Sequence, residues 1–346
     1  MPAVMHHHDV RWVAGASYPM LCDGPVAHGG MLDVDEMELA RLDFYELCFG
    51  YERVAAEISV DGTPCAADVY RPAVVPGAPG PAWSLADWAE TWGEISTLAA
   101  AEVMRQMGQA APAEIGQRFG MIRARAQSYL RAQRWQRPRA VGRGGRGDMI
   151  VVEALHHPYH GFFTLEEMRA RFPRFDGTLS KPAERGIFRA ADAVTVLPYD
   201  PVRDRVLIVE QVRFGAFGHG DPDPWLLEPV AGIVDAGETE EATAIREAEE
   251  EAGVHITDLH LIGRYYPSPG GIAQVLISYI GIADLPDDLP GPGGLESEGE
   301  DILSHLVPFD DAIALIATGE AAVGPLLVSL QYLALHRDRL RARGSG

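Results

Sequence analysis

Four glutamates occupy five positions of one short stretch, REAEEEAGV, which runs from Arg246 to Val254. At about 100° per residue, Glu247, Glu250 and Glu251 fall on one face of a helix. Like charges spaced four residues apart destabilise a helix by roughly 0.2–0.5 kcal/mol per pair, and the chain already carries a formal net charge of −21. A hard divalent cation such as Mg²⁺ takes oxygen ligands and binds a few carboxylates together with substrate phosphates. The spacing therefore predicts a metal site, with a solvated acidic helix face as the alternative.

A glycine lies at each end of the element that must position these carboxylates. The longer stretch GIVDAGETEEATAIREAEEEAGV begins at Gly232, and its loop GIVDAGE predicts a tight connection from a strand to a helix. Gly253 predicts a left-handed residue that ends the helix. The face opposite the glutamates is expected to pack on a sheet and consists of Ala242, Ile245, Ala248 and Ala252.

Apolar runs on both sides of this helix predict strands, namely AVTVLPYD, RVLIVEQVRF and QVLISYIGIA. Upstream, YERVAAEISV and CAADVYRP predict further strands, followed by a helical stretch from about Leu85 to Leu130 that breaks near Pro112. The last predicted helix, in PLLVSLQYLALHRDRL, carries a leucine stripe that indicates packing in a core or in a dimer interface. The stripe consists of Leu326, Leu330, Leu333 and Leu340.

Arginine and glycine concentrate in RAQRWQRPRAVGRGGRGD, from Arg131 to Asp148. A flexible interdomain linker is favoured over a basic patch for an anionic partner, because the glycines oppose a stable element. The 346 residues suffice for two domains, since single cores usually stop growing near about 250–300 residues. We therefore predict a domain at residues 1–130, a linker at 131–147 and a second domain at 148–346.

Composition limits the partners. A pI near 4.9 argues against nucleic-acid binding, which requires a basic surface. The sequence contains no run of about 18 apolar residues and therefore predicts no membrane span. Its first residues, MPAVMHHHDVRW, lack the pattern of a signal peptide. The three cysteines show no CxxC spacing, which predicts reduced thiols in a cytoplasmic compartment. The histidines at positions 6–8 lack companion ligands and predict no metal site.

The stretch from Gly232 to Val254 matches the Nudix box without a gap: Gly, five residues, Glu, seven residues, Arg-Glu, an apolar residue, any residue, Glu-Glu, any residue, Gly and an apolar residue. Ala248 stands where the pattern prefers a larger apolar side chain. The sequence thus resembles the Nudix family, whose members hydrolyse a nucleoside diphosphate linked to another moiety with bound magnesium. The resemblance implies a mixed-sheet α/β/α sandwich. It assigns structural positions of the box to Gly232, Glu238, Arg246 and Gly253.

Segments outside the box are similar to the ADP-ribose pyrophosphatase branch of that family. They are AVTVLPYDPVRDRVLIVEQVRFGAF, PWLLEPVAGIVDAGE, YPSPGG and GLESEGEDI, together with Pro269, sixteen residues after Gly253. The resemblance implies Mg²⁺-dependent hydrolysis of ADP-ribose to AMP and ribose 5-phosphate by a homodimer, with Mn²⁺ as a possible substitute. The alternatives are another nucleoside diphosphate sugar as substrate, or a non-catalytic ADP-ribose sensor. The extra N-terminal domain on such an acidic chain resembles proteins associated with tellurite resistance.

The resemblance also implies residue roles. Glu247 and Glu251 match side chains that ligate magnesium, and Ala231 matches a position that contributes its backbone carbonyl. Glu250 is expected to be a further ligand or to support one. In ESEGED, Glu298 matches a loop glutamate that accepts a proton from the attacking water, and Glu300 matches a metal-linked glutamate. Either of these two is a candidate for the base.

Four further positions match substrate contacts. Arg185 and Arg213 match arginines that contact the phosphates or ribose, and a guanidinium fork suits paired phosphate oxygens. Ser268 matches a substrate-contacting loop position. Phe162, or its neighbour Phe163, is a candidate for stacking on adenine.

The N-terminal part resembles the γ-glutamylcyclotransferase-like fold, a small β-barrel with helices. The resemblance rests on MLDVDEMELARLDFYELCFGYERVAAEI and CAADVYRP, in which Glu46 matches that family's catalytic glutamate. The family's Tyr-Gly-Ser/Thr-Leu loop is absent, and the chain starts inside the expected fold. We therefore expect an incomplete domain without cyclotransferase activity.

Overall fold

The computed structural model describes residues 1–142, 144, 147–289, 291–294 and 299–343, with the side chain of Arg343 excepted. The chain divides into two compact units. One comprises Met1–Trp135 with His160–Phe162, and the other comprises Gln136–Tyr159 with Phe163–Gly346. No helix within the described residues combines the length and apolar character that a membrane crossing requires.

The first unit is an antiparallel sheet with helices. Its strands are β1 (Pro2–Val13), β2 (Pro19–Gly30), β3 (Tyr51–Val60), β4 (Thr63–Pro72) and β5 (Pro79–Ala82). They pair in the order β2-β1-β3-β4, and β5 pairs with β1. Its helices are α1 (Glu36–Leu47), α2 (Leu85–Trp88), α3 (Glu94–Arg105), α4 (Pro112–Gln117) and α5 (Phe119–Arg134), with a π-helical turn (Ala89–Gly93) after α2.

Several elements predicted for this unit are confirmed. YERVAAEISV and CAADVYRP form β3 and, within its bounds, β4. The helical stretch breaks before Pro112, which opens α4 at a position where its missing N–H is not needed. Helix α5 continues to Arg134, so the first four residues of the segment predicted as a linker are helical.

The second unit holds two sheets. Its strands are β6 (Val151–His160), β7 (Thr164–Arg171), β8 (Ala183–Arg189), β9 (Ala193–Asp200), β10 (Arg205–Val212), β11 (Trp225–Glu228), β12 (Val230–Ile233), β13 (Ile256–Tyr265), β14 (Ile272–Ala273), β15 (Leu276–Ala283), β16 (Pro292–Gly293) and β17 (Ile302–Pro308). Its helices are a short 3₁₀ turn (Gly147–Met149), α6 (Phe214–His219), α7 (Glu240–Ala252), α8 (Phe309–Thr318) and α9 (Gly324–Arg343). The larger sheet has the order β13-β15-β9-β10-β17-β16, with β11 on β10 and β12 on β9. The smaller sheet has the order β14-β8-β7-β6.

The larger sheet is mixed, as predicted, because β15 runs parallel to β9 while its other strand pairs are antiparallel. Helices cover both faces. On one face, Ile208 and Ile280 pack with the leucine stripe of α9, whose four members are at most 1% exposed. On the other face, the Tyr279 hydroxyl donates to Glu241 of α7. The predicted α/β/α sandwich is therefore confirmed, and the leucine stripe belongs to its core.

The sheet-packing face predicted for α7 is confirmed at Ala248 and Ala252 but wrong at Ala242 and Ile245. Ala242 and Ile245 were expected to pack on the sheet, but both are exposed, Ile245 by 41%. The buried residues of α7 are Thr243, Ala244, Ala248, Glu251 and Ala252. Small side chains allow the helix to lie close to the sheet, and the helix is rotated so that one glutamate joins the buried face. An apolar pattern this weak does not fix the rotation of a helix.

Candidate active site

Helix α7 is capped at both ends. At its start, the Thr239 hydroxyl accepts a hydrogen bond from the N–H of Ala242 at 3.1 Å. At its end, Gly253 has a φ of 63°, and its N–H donates to the carbonyl of Glu249 at 2.9 Å. The left-handed residue predicted at this position is confirmed. The caps fix where the last two turns, which carry Glu247, Glu250 and Glu251, lie on the sheet.

Glu251 is the most buried of these carboxylates, with 2% exposure. One of its oxygens accepts a hydrogen bond from the N–H of Ala231 at 3.2 Å. Burial raises its pKa to about 8, and the charges of Glu300 and Glu247 add to that increase, whereas the Ala231 hydrogen bond and Arg213 oppose it. A carboxylate perturbed by burial and by neighbouring carboxylates is typical of functional sites.

Glu247 lies against the backbone of Gly232. A methyl group placed on Gly232 would lie 1.9 Å from Oε1 and 2.3 Å from Cγ of Glu247. Gly232 lies on β12, which pairs with β9, and α7 packs against both strands. The glycine thus leaves room for a carboxylate, in addition to the turn that the sequence predicted.

Arg246 organises the acidic face. Its Nε and Nη2 atoms donate to the two oxygens of Glu238 at 3.1 and 3.0 Å. Its Nη1 atom donates to Glu247 at 2.8 Å and to Glu250 at 2.7 Å. The hydrogen bonds that Arg246 donates to Glu238, and then to Glu250, raise the pKa of Arg246 above its ordinary value. Arg246 thus forms an ion pair with Glu238 and orients two of the predicted metal ligands.

Arg213 is held by a carboxylate that the sequence reasoning missed. Its Nε atom donates to Oε2 of Glu228 at 2.6 Å, and Glu228 is 8% exposed. Arg213 is also close enough to Glu251 to lower the pKa of that group. The signal for Glu228 in the sequence is that it is the one acidic residue in the apolar run WLLEPV. A buried charge is costly unless it is paired, so Glu228 points to a nearby cation.

Two glycines allow the backbone near Glu300 to lie close to the end of α7. A methyl group on Gly293 would lie 2.1 Å from the carbonyl oxygen of Glu251, and one on Gly294 would lie 2.8 Å from Cβ of Glu300. Strand β16, which contains Gly293, pairs with β17. The close approach explains why the charge of Glu300 affects Glu251. The predicted base, Glu298, lies outside the described residues.

Two predicted substrate contacts lie near the smaller sheet. Arg185 is exposed on β8 and donates to the carbonyl of Glu184 at 2.7 Å. Ser268 is exposed in the turn before β14, where its carbonyl accepts from the N–H of Ile272 at 2.9 Å. Strand β14 pairs with β8. Within the described residues, no hydrogen bond or ion pair joins Arg185 or Ser268 to the carboxylates of α7.

The candidate for adenine stacking is Phe162, which is 50% exposed. Its carbonyl accepts a hydrogen bond from Nη1 of Arg125 at 2.6 Å, and it is grouped with the first unit. The neighbouring Phe163 packs against Phe188, with ring centroids 4.5 Å apart. The exposure of Phe162 suits the predicted ligand contact.

Glu46, in the first unit, lies on α1 and is partly buried. Burial raises the pKa of its carboxyl group. Its charge in turn contributes to the raised pKa values of Tyr45, Tyr51 and Tyr70. This acid therefore lies among tyrosines, far along the chain from the carboxylates of α7.

The donor set of the second unit suits a hard cation. The charges of Glu247 and Glu300 both raise the pKa of Glu251, and all three side chains offer oxygen ligands. Within the described part of the chain, no three acidic, histidine or cysteine side chains form a ready-made metal cage. Magnesium keeps several waters and takes substrate phosphates, so it needs only one or two protein carboxylates. The residues fit a cation whose coordination is completed by solvent and substrate.

Comparison with known proteins supports this interpretation. Residues 189–327 match the family model described as NUDIX domain, and residues 1–90 match the model described as Gamma-glutamyl cyclotransferase, AIG2-like. The chain is 36% identical to the ADP-ribose pyrophosphatase of Escherichia coli strain K12 over 197 residues, which are 57% of this chain and 93% of the relative. It is 37% identical to the ADP-ribose pyrophosphatase of Haemophilus influenzae strain Rd over 185 residues, 53% of this chain and 85% of the relative.

A third relative has a different named substrate. The GDP-mannose pyrophosphatase of Enterobacter sp. strain 638 is 29% identical over 172 residues, which are 50% of this chain and 88% of the relative. The N-terminal match accords with the β-rich first unit, and the Nudix match contains the whole of α7. The chain therefore belongs to the Nudix family and is a nucleoside diphosphate hydrolase that carries a γ-glutamylcyclotransferase-like domain at its N-terminus.

Proposed function

We propose that the protein hydrolyses the pyrophosphate bond of ADP-ribose to give AMP and ribose 5-phosphate. The observation that carries this proposal is the buried carboxylate of Glu251, held by the N–H of Ala231 and electrostatically coupled to Glu247 and Glu300. Such a cluster suits a cation shared with a diphosphate. The relatives named ADP-ribose pyrophosphatase are more similar to this chain than the one named GDP-mannose pyrophosphatase, which favours ADP-ribose as the substrate.

A magnesium ion would be held by Glu247, Glu251 and the backbone carbonyl of Ala231. Glu250 and Glu300 would ligate it or orient its ligands, and Mn²⁺ would substitute for it. When bound, the cation neutralises phosphate charge and lowers the pKa of the attacking water. Arg246 keeps Glu247 and Glu250 oriented through its Nη1 atom.

The remaining steps fall to other side chains. Arg213 binds a phosphate, because Glu228 holds its Nε atom and thereby fixes the plane of the guanidinium group. Glu298 accepts the proton of the attacking water, while Glu300 supports the cation. Arg185 and Ser268 contact the ribose or phosphates, and Phe162 stacks on adenine. The family resemblance also supports a homodimer with substrate contacts that cross its interface.

The test is phosphate release from a panel of nucleoside diphosphate compounds, coupled to a phosphatase that acts only on the monoester products. We expect the highest kcat/KM for ADP-ribose with Mg²⁺, and no turnover with excess EDTA. A higher kcat/KM for GDP-mannose or another nucleotide sugar would reassign the substrate within the same reaction class. Binding of ADP-ribose without turnover of any compound would indicate a sensor.

A further inference from the structure

Strand β10 carries a buried side-chain amide nitrogen that has no hydrogen-bond acceptor in the described part of the chain. Gln211 is 7% exposed, and its buried Nε2 atom has no hydrogen-bond partner among the described residues. Buried polar atoms in folded proteins nearly always have a partner, so each exception calls for an explanation. An amide N–H that the protein leaves unpaired is a donor available to a ligand.

The alternation of the strand gives the face on which this amide lies. Ile208 packs into the core formed with α9, and successive side chains of a strand point to opposite faces. Val209 and Gln211 therefore point to the face that α7 covers. Arg213 follows two positions later with extended backbone, so it lies on the same face.

The neighbours of Gln211 on this face belong to the candidate active site. Across the antiparallel pair with β11, Glu228 lies opposite Val209, and Leu226 lies opposite Gln211. Glu228 accepts from Arg213, which in turn is near enough to Glu251 to lower its pKa. Glu228 thus pairs with Arg213 and leaves Gln211 beside them, with an apolar residue opposite. The side-chain amide of Gln211 is neutral, so it offers a hydrogen-bond donor at this point without a positive charge. A second positive charge here would attract the carboxylates of α7.

We propose that the side-chain amide of Gln211 donates a hydrogen bond to a phosphate oxygen of the bound nucleoside diphosphate, next to the phosphate that Arg213 contacts. The proposal rests on the proposed function of this site. Gln211 acts as a substrate-binding residue that helps to fix the register of the diphosphate.

The decisive variants are Gln211→Met and Gln211→Glu. Methionine keeps the approximate volume but removes the donor, so we expect KM for ADP-ribose to rise by roughly 5- to 100-fold, the range for loss of one hydrogen bond from a desolvated site. Because an unsatisfied buried amide is replaced by an apolar group, Tm should stay equal or rise. Glutamate replaces the donor with an anionic acceptor, so it should raise KM more than methionine does.

Ser329→Ala is the matched control. Its hydroxyl is also fully buried and has no partner in the described residues, but it lies on α9, which covers the opposite face of the sheet. We expect its KM to equal that of the wild type. A second readout, the rise of Tm on adding ADP-ribose in EDTA, should be large in the wild type and in Ser329→Ala and small in Gln211→Met.

The outcomes distinguish a failure of the proposed function from a failure of the role assigned to Gln211. If the wild type turns over no nucleoside diphosphate and ADP-ribose does not raise its Tm, the proposed function fails. If the wild type hydrolyses ADP-ribose but Gln211→Met leaves KM and the ligand-induced Tm rise unchanged, the assignment of Gln211 is overturned alone. A lower Tm in Gln211→Met with unchanged KM would also overturn it, because the amide would then serve the fold.

Discussion

Glu251 is a residue whose placement opposes the stability of the metal-free protein. Its pKa is raised to about 8 by burial, against an ordinary value of 4.5. The folded chain therefore keeps a proton at pH values where the unfolded chain has lost it. The free energy of unfolding is therefore highest below about pH 4.5, where the carboxyl group is protonated in both states. It falls as the pH rises through about 8. A cation that replaces the proton would remove this penalty, so metal binding should strengthen over the same interval.

This residue gives the first prediction. In EDTA, the urea midpoint of the wild type should fall as the pH rises from about 5 to about 8.5, and Glu251→Gln should remove most of that fall, because glutamine does not ionise. The same variant should fold and lose most Mg²⁺-dependent turnover. Midpoints measured at several pH values for both proteins provide the check. Parallel pH profiles would show that Glu251 does not titrate in this interval.

Gly232 gives the second prediction. The methyl group of Gly232→Ala would meet the carboxylate of Glu247 at 1.9 Å, so the glutamate must move while the strand stays. We expect the Mg²⁺ concentration for half-maximal rate to rise by roughly 10–100-fold, as when the support of a metal ligand is lost. Gly263→Ala, on β13 with no atom within 4 Å of the added methyl, is the control. Equal magnesium titrations for the two variants would contradict the assignment of Glu247.

The third prediction separates the two loop glutamates. If Glu298 is the base, Glu298→Gln should lower kcat by roughly 10²–10⁴-fold with little change in KM or magnesium dependence. Glu300→Gln should instead raise the magnesium requirement, because the charge of Glu300 acts on Glu251. Measuring kcat, KM and magnesium titrations for both variants distinguishes them. A kcat-only loss in Glu300→Gln with a mild effect in Glu298→Gln would exchange the two roles.

At the scale of elements, the sequence predicted α7 and the three apolar strands around it, because their signals are local. The helix bounds follow from Thr239 and Gly253, which act within one turn. The rotation of α7 was not predictable in the same way, since burial of Glu251 depends on Ala231, twenty positions away. Glu228 and Gln211 were missed for the same reason. Each appears in the sequence as a polar residue in an apolar run. Strand pairing brings Glu228 beside Arg213, and the burial of Gln211 depends on how the sheet is covered.

The contact between β16 and α7 gives an element-scale prediction. Gly293→Ala would place a methyl group 2.1 Å from the carbonyl oxygen of Glu251, and neither backbone can yield without moving its element. We expect a loss of about 1–3 kcal/mol in unfolding free energy, as for overpacking, and a lower kcat because Glu300 moves away from the site. Gly291→Ala, whose added methyl group meets no atom of the described residues within 4 Å, is the control. Denaturant unfolding and initial rates test both, and a fully active, equally stable Gly293→Ala would refute a tight contact.

At the scale of the whole molecule, the two compact units have separate cores. The core cluster that contains the leucine stripe of α9 has its buried members between Leu197 and Leu340, whereas Met5, Ala27 and Ile58 form a small cluster in the first unit. All the carboxylates predicted to bind metal belong to the second unit. The proposed metal site of the Nudix box therefore draws its carboxylates from the second unit. The boundary is not a single point in sequence, because His160–Phe162 groups with the first unit.

These separate cores lead to the last prediction, that a fragment from Asp148 to the C-terminus folds and hydrolyses ADP-ribose. The fragment lacks Arg118 and Arg125, which donate to the carbonyls of His160 and Phe162 at 2.6 Å each. The turn that carries Phe162 should thus be less well held, so we expect KM to rise if this ring contacts adenine, while kcat and the magnesium requirement stay close to those of the full chain. Glu46→Gln in the full chain is the control, because it alters the first unit without removing those donors, and it should leave both kcat and KM unchanged. Unfolding curves and steady-state kinetics of the three proteins decide the question. An insoluble or inactive fragment would show that the catalytic unit depends on the N-terminal one.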